Sequence, residues 1–221
     1  MKQAFIFWPP KKEEEPKQQS TKTDGAIIDI SKYQGNIDWD TLKDNVSLVI
    51  ARAGVGSDPD PKFDSYAEEM NKRNIPFGVY CFSYAGDEAK AKDEAKKLVE
   101  RASKHNPLFY VMDAEEAKIT HEAIKAFATE LRANGAKKIG CYCAHHRYNQ
   151  YGYKDLQSLF DFTWIPCYGA NDGTIGGSRK PSYFCDLWQY TSTAKIPGIS
   201  GNVDKNVITG DGHDLSWFLQ K

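Results

Sequence analysis

From Gly25 onward the chain alternates apolar runs of strand length with helix-patterned stretches. That alternation leaves few folds open, because strands joined through helices pair in parallel within one covered sheet. The runs fall at residues 25–31, 47–54, 76–85, 108–115, 138–144, 162–169, 184–191 and about 199–204, so eight strands are expected. Between them Phe63, Tyr66, Ala67 and Met70 recur at the spacing of one helix face, as do Ile124, Phe127, Ala128 and Leu131. Ala91, Ala95, Leu98 and Ala102 mark a third helix with Asp87 as its cap, and Thr120 and Gly135 bracket the helix that carries Ile124. The later connections, such as residues 170–183, are rich in Gly, Ser and Asn and carry little helical signal. Eight strands with about five helices predict an α/β fold, an irregular TIM-like (β/α) barrel that has lost its final helices. It would form one domain over residues 25–221, smaller than the ~250 residues of the full fold.

Residues 1–24 read differently: a short apolar tip, Ala4 to Trp8, precedes a Pro, Lys, Glu and Gln stretch that cannot bury enough surface to fold. A tail or linker is expected there. The tip is shorter than the ~7–15 residues of a signal-peptide core, so no export signal is expected in it.

Charge and cysteine usage remove other classes. Lys and Arg number 29 against 30 Asp and Glu, with no block of one sign, which argues against nucleic-acid binding driven by phosphate contacts. No apolar run approaches the ~20 residues needed to span a bilayer, so no membrane insertion is expected. The five cysteines, an odd number, lie inside strand-like runs, which argues against a disulfide framework.

In a parallel barrel the working residues gather at the carboxyl ends of the strands. Acids dominate those positions here: Asp29 ends the first strand, Asp113 and Glu115 the fourth, and Asp204 the eighth. The side-chain period of two puts Asp113 and Glu115 on one face. Two carboxyls crowded in a partly desolvated site cannot both ionise easily, so one holds a proton near neutral pH. Glycosidic cleavage needs such an acid for the leaving oxygen, and further carboxylates for the positive anomeric centre. The competing reading, in which strand-end acids cap helices or pair with Arg52 and lysines, does not by itself account for four acids at one mouth. Tyr80, Tyr84, Tyr142, Tyr168 and Trp188 also lie in strands; those facing the mouth would stack on sugar rings, and the others would be core.

A metal reading would use Cys141, Cys143, His145 and His146, but structural zinc sites favour Cys-x2 to x4-Cys on loops, and alternate positions on a strand read as core thiols. The stretch GVGSDP lacks the lysine of a phosphate loop, and no Gly-x-Ser-x-Gly occurs. No metal or cofactor is expected.

Six motifs then occur in order: DISKYQGNIDW (Asp29 to Trp39), FGVYCFSYA (Phe77 to Ala85), VMDAEE (Val111 to Glu116), WIPCYG (Trp164 to Gly169), LWQYT (Leu187 to Thr191) and PGISGNVDKN (Pro197 to Asn206). In these the chain resembles the family 25 glycoside hydrolases, the N-acetylmuramidases of bacteria, their phages and some eukaryotes, over residues 25 to about 208. The resemblance implies a flattened (β/α)5β3 barrel acting as a monomer on the peptidoglycan glycan strand, cutting the β-1,4 bond between N-acetylmuramic acid and N-acetylglucosamine. It implies action at the bacterial cell wall, after secretion or release by a phage. It implies Glu115 as proton donor and Asp113 beside it, orienting the substrate N-acetyl group or stabilising developing charge. Asp29 and Asp204 would complete the acidic ring. Tyr142 and Trp188, in matching motifs, would be sugar contacts.

The chain departs from the family pattern at Cys141 and Cys143, at Cys167 where a polar residue is frequent, and at Ala144 where an aromatic or Ser is common. None of these positions is one of the four acids. A family 18 chitinase also ends its fourth strand with Asp-x-Glu, but carries a further acid where this chain has Val111. Two alternatives stay open: a glycan-binding barrel without turnover, and a glycosidase for another N-acetylated glycan.

Overall fold

A computed structural model describes residues 25–221; the tail expected over residues 1–24 lies outside the described residues. The elements run β1 (Ala26–Ile30), α1 (Trp39–Leu42), β2 (Val46–Val55), β3 (Asp58–Pro59), α2 (Phe63–Lys72), β4 (Phe77–Phe82), α3 (Glu88–Ala102) and β5 (Tyr110–Ala114). They continue with α4 (His121–Ala133), β6 (Ile139–Cys143), α5 (Tyr153–Leu156), β7 (Phe162–Pro166), β8 (Leu187–Ile196), β9 (Ile199–Ile208) and α6 (Leu215–Leu219). The strands order β1-β9-β8-β7-β6-β5-β4-β2 and close through a β1–β2 pairing, while β3 adds a two-residue ribbon at the far end of β2. Five β/α units followed by three strands make the irregular (β/α)5β3 barrel.

Local chemistry sets the helix starts. The Asp87 carboxylate accepts from the Lys90 backbone N–H at 2.9 Å and opens α3, and the Thr120 hydroxyl accepts from Ala123 N–H at 3.1 Å and opens α4. Gly135, at φ +90°, lets the chain leave α4 through a conformation that a side chain would strain.

The last strand corrects the sequence reading. β9 runs antiparallel to both β8 and β1, and Asp204 sits within it, in register with Asp29, rather than at a strand end. Only Pro197 and Gly198 separate β8 from β9, with Gly198 at φ +96°. Two residues can reverse a chain into a hairpin but cannot carry the crossover that a parallel neighbour needs.

Side chains alternate around the barrel. Ile28, Val49, Val79, Met112 and Cys141 point outward into the layer beneath the helices. Leu48, Ile50, Phe109, Val111, Phe162 and Trp164 point inward. Phe218 of α6, fully buried, stacks edge-on to Phe109 and Phe162 at 5.8 and 5.0 Å between ring centroids and seals one end. Gly78 and Gly140 make room for those rings, since a Cβ at either would collide with Phe109 or Phe162. Gly140→Val is therefore expected to cost about 3 kcal/mol by overpacking. A thermal melt that matched the wild type would contradict this packing.

Candidate active site

The other end of the barrel is open, and there the inward positions turn polar. A cavity of about 240 Å³ is lined by Asp29, Asp113, Glu115 and Asp204 together with Arg52, Gln189 and the rings of Tyr33, Tyr80, Tyr142 and Tyr168. All four acids expected from the sequence are thus brought together. Asp29 follows Ile27 on the inward face of β1, and Asp113 follows Val111 on β5, with Glu115 one residue beyond the strand. Asp29 and Asp113 are 4% and 6% exposed, whereas Glu115 is half-buried and nearer solvent.

The DISKYQG segment has a local explanation. After Asp29 the chain makes one 3-10 turn, in which the Ser31 hydroxyl accepts from the Tyr33 N–H and the Gln34 side chain accepts from the Ser31 N–H at 2.7 Å. This capping box holds Tyr33 at the rim, 76% exposed.

A directed network anchors Asp29. Its Oδ2 accepts from Gln189 Nε2 and Asn206 Nδ2, each at 2.9 Å. The Gln189 carbonyl in turn accepts from the Tyr142 hydroxyl at 2.8 Å and from the Tyr168 hydroxyl, and the Asn206 carbonyl accepts from Trp164 Nε1 at 2.8 Å. Each amide is thereby fixed in orientation, with its NH₂ group toward the carboxylate. Asp204 shares a hydrogen bond with Asp29.

Burial pushes all four acids above the ordinary carboxylate range. For Asp29 burial outweighs the opposing hydrogen bonds from Asn206 and Gln189. Asp204 is raised by burial and then by the charge and hydrogen bond of Asp29. Asp113 is raised strongly by burial and by the charges of Glu115 and Asp29, against a lowering effect of Arg52. Glu115 is raised by burial and then by the charges of Glu116 and Asp29. The cavity therefore stores protons that isolated carboxyls would have released.

Two buried polar atoms of the lining, Asp113 Oδ1 and Arg52 Nη2, lack a hydrogen-bond partner among the described residues. An acceptor and a donor left open in one cavity are groups that a polar ligand would satisfy.

The aromatic expectations divide. Tyr80, Tyr142 and Tyr168 line the cavity. Tyr84 lies in an adjoining groove. Trp188 is not brought to the cavity: it faces the outer layer, buried, with its Nε1 donating to the Cys167 carbonyl at 2.8 Å. Its neighbour Gln189 takes the inward position. Sequence reasoning also missed Asn206, Arg52 and Trp164. The signal for Asn206 and Gln189 was available, since Asp204-x-Asn206 and Leu187-x-Gln189 share the period of two that linked Asp113 to Glu115. Cys141 and Cys143 point outward into the core. Among the described residues no group of three or more His, Cys, Asp or Glu is arranged to hold a metal ion, and no helix is long and apolar enough to cross a membrane.

Comparison with known proteins agrees with this geometry. The family described as glycosyl hydrolases family 25 matches residues 28–199. Lysozyme M1 of Streptomyces globisporus is 22% identical over 206 residues, covering 85% of this chain and 69% of that protein. Among solved structures, the glycosyl hydrolase 25 virulence factor GHIP of Streptococcus pneumoniae superposes with a TM-score of 0.81 at 29% identity, over 88% of this chain and 91% of that one. The catalytic domain of endolysin ply40 from bacteriophage P40 of Listeria monocytogenes gives 0.79 at 27% identity, over 90% and 98%. With most of its length matched, the chain belongs to family 25 of the glycosyl hydrolases and is a glycoside hydrolase of the lysozyme type.

Proposed function

We propose that the protein hydrolyses the β-1,4 bond between N-acetylmuramic acid and N-acetylglucosamine in peptidoglycan, with Glu115 as general acid and Asp113 as the group that orients the substrate N-acetyl. The observation that carries this reading is the pair at the end of β5: Glu115 toward solvent, its pKa raised by burial, and Asp113 deeper with one carboxyl oxygen open. Lysozyme and endolysin relatives support peptidoglycan as the substrate.

Glu115 gives its proton to the glycosidic oxygen as the bond to the anomeric carbon breaks. The N-acetyl carbonyl oxygen closes on that carbon while Asp113 Oδ1 accepts the amide N–H. Water then opens the ring so formed and returns a proton to Glu115. Asp29, held by Gln189 and Asn206, supports the cationic centre, with Asp204 beside it. On this reading the protein acts as a monomer at the cell wall, after secretion or phage release. Clearing of a purified peptidoglycan suspension tests the reading. A folded protein that bound the glycan without clearing it would favour a non-catalytic barrel.

The pH dependence follows from the sign of the shift. Glu115 works protonated, so the rate falls as pH rises through its pKa, and that limb lies above the ~4.3 of an ordinary Glu. Glu116 is one cause of the rise, so Glu116→Gln is expected to move the alkaline limb of kcat/KM to lower pH. An unmoved limb would contradict the assignment of Glu115.

A further inference from the structure

Beside the acid cavity runs a second, larger hollow of about 710 Å³, which shares Tyr33, Arg52 and Phe82 with it and continues past Tyr84 and Lys90. Its character is opposite to that of the cavity. Lys32 Nζ and Arg52 Cζ lie 5.3 and 5.2 Å from the Tyr33 ring centroid, and Lys118 Nζ and Lys90 Nζ lie 4.7 and 5.8 Å from that of Tyr84. Each rim of the groove thus carries an aromatic plate with two cations. Of the two acids in its lining, Asp60 is already matched, accepting from Arg52 Nε at 2.8 Å and from the backbone N–H groups of Lys32 and Lys62; Asp58 is exposed. Arg52 links the two spaces. It is 8% exposed, and its Nη2 is buried with no partner among the described residues. A guanidinium committed to Asp60 on one edge and open on the other is a fixed donor for a ligand oxygen.

We propose that this groove receives the acidic substituent of the sugar whose bond is cut in the cavity: Arg52, with Lys90 and Lys118, takes the substituent's carboxylate, and Tyr33 and Tyr84 flank it. The proposal rests on the muramidase reading and adds how the substrate is aligned, with the muramic ring at the acids and its lactyl side chain directed into the groove. The cations of the groove attract a carboxylate and the acid-lined cavity does not, so charge fixes which way the substituent points.

Equilibrium binding tests this without turnover, so failure of the subsite and failure of the proposed cleavage register separately. In the Glu115→Gln background, calorimetry would compare soluble peptide-free strands, which carry the lactyl carboxylate of muramic acid, with the same strands after reduction of that carboxylate to an alcohol. The carboxylate form is expected to bind about tenfold more tightly. That preference should shrink as salt rises from about 0.05 to 0.5 M, because the lysines are exposed. It should fall toward unity in Lys90→Gln with Lys118→Gln, a surface change, and in Arg52→Lys, which keeps a charge for Asp60 but removes the open donor. Strands retaining their stem peptides separate the two sources of carboxylate: binding as tight as the free acid assigns the groove to a peptide carboxylate, and binding as weak as the reduced strand assigns it to the lactyl group. Equal affinity for the carboxylate and reduced strands, or a preference untouched by the double lysine change, would overturn the proposal.

Discussion

Glu115→Gln is expected to lower kcat by about 10²- to 10⁴-fold, because the amide fills the same space but has no carboxylic proton to deliver. Its fold should survive. Folding disfavours a charge at residue 115, as the raised pKa shows, so replacing the carboxyl by a neutral group should leave the melting temperature equal or higher at neutral pH. Affinity for the glycan should persist as well. This combination of lost turnover with retained stability and binding separates a proton donor from a residue that only shapes the cavity. A variant with a tenth or more of the wild-type rate would remove Glu115 from that role.

Asp113→Asn should produce the second large effect, a loss of about 10²-fold or more in kcat together with a gain in stability that grows with pH. The loss follows from the neutral amide, which cannot ionise when the substrate N–H and the developing cation in the cavity favour a carboxylate. The gain follows from linkage. Asp113 is almost fully buried and its folded pKa is raised, so from about pH 4, where an unfolded Asp ionises, up through the folded pKa, the folded chain holds a proton that the unfolded chain has released. Stability supplied by that group is full at low pH and drains away as pH rises. Asn cannot ionise, so the melting temperature of the variant minus that of the wild type should widen between pH 4 and pH 8. A constant or narrowing difference would contradict the electrostatics assigned to the site. Similar reasoning applies to Asp204, whose pKa is raised by burial and by the charge of Asp29.

Much of this was legible in the chain because it is written at short range. Each of the eight apolar runs became a barrel strand, and Asp87 and Thr120 cap their helices through contacts three residues away. The period of two, applied to Asp113 and Glu115, placed both on the cavity. The failures have physical reasons of longer range. The direction of β9 is set by a Pro197–Gly198 turn too short for a crossover, whereas the alternation of strands and helices over most of the chain points to parallel strands. Trp188 reads as a sugar contact from its motif, whereas the pleat, anchored by Leu187 in the barrel interior, sends the tryptophan outward and Gln189 in. Arg52 read as a charge partner for acids. Its pairing with Asp60, eight residues along the chain, and its open Nη2 exist only once β2 has closed against its neighbours.

The central claim is that these four acids cut between N-acetylmuramic acid and N-acetylglucosamine, and identifying the new reducing ends tests it most directly. Purified peptidoglycan digested with the wild type, reduced with borohydride and analysed by mass spectrometry should yield fragments ending in muramitol, absent from a parallel digest with Glu115→Gln. Fragments ending in reduced N-acetylglucosamine would place the cut at the other bond and contradict the account.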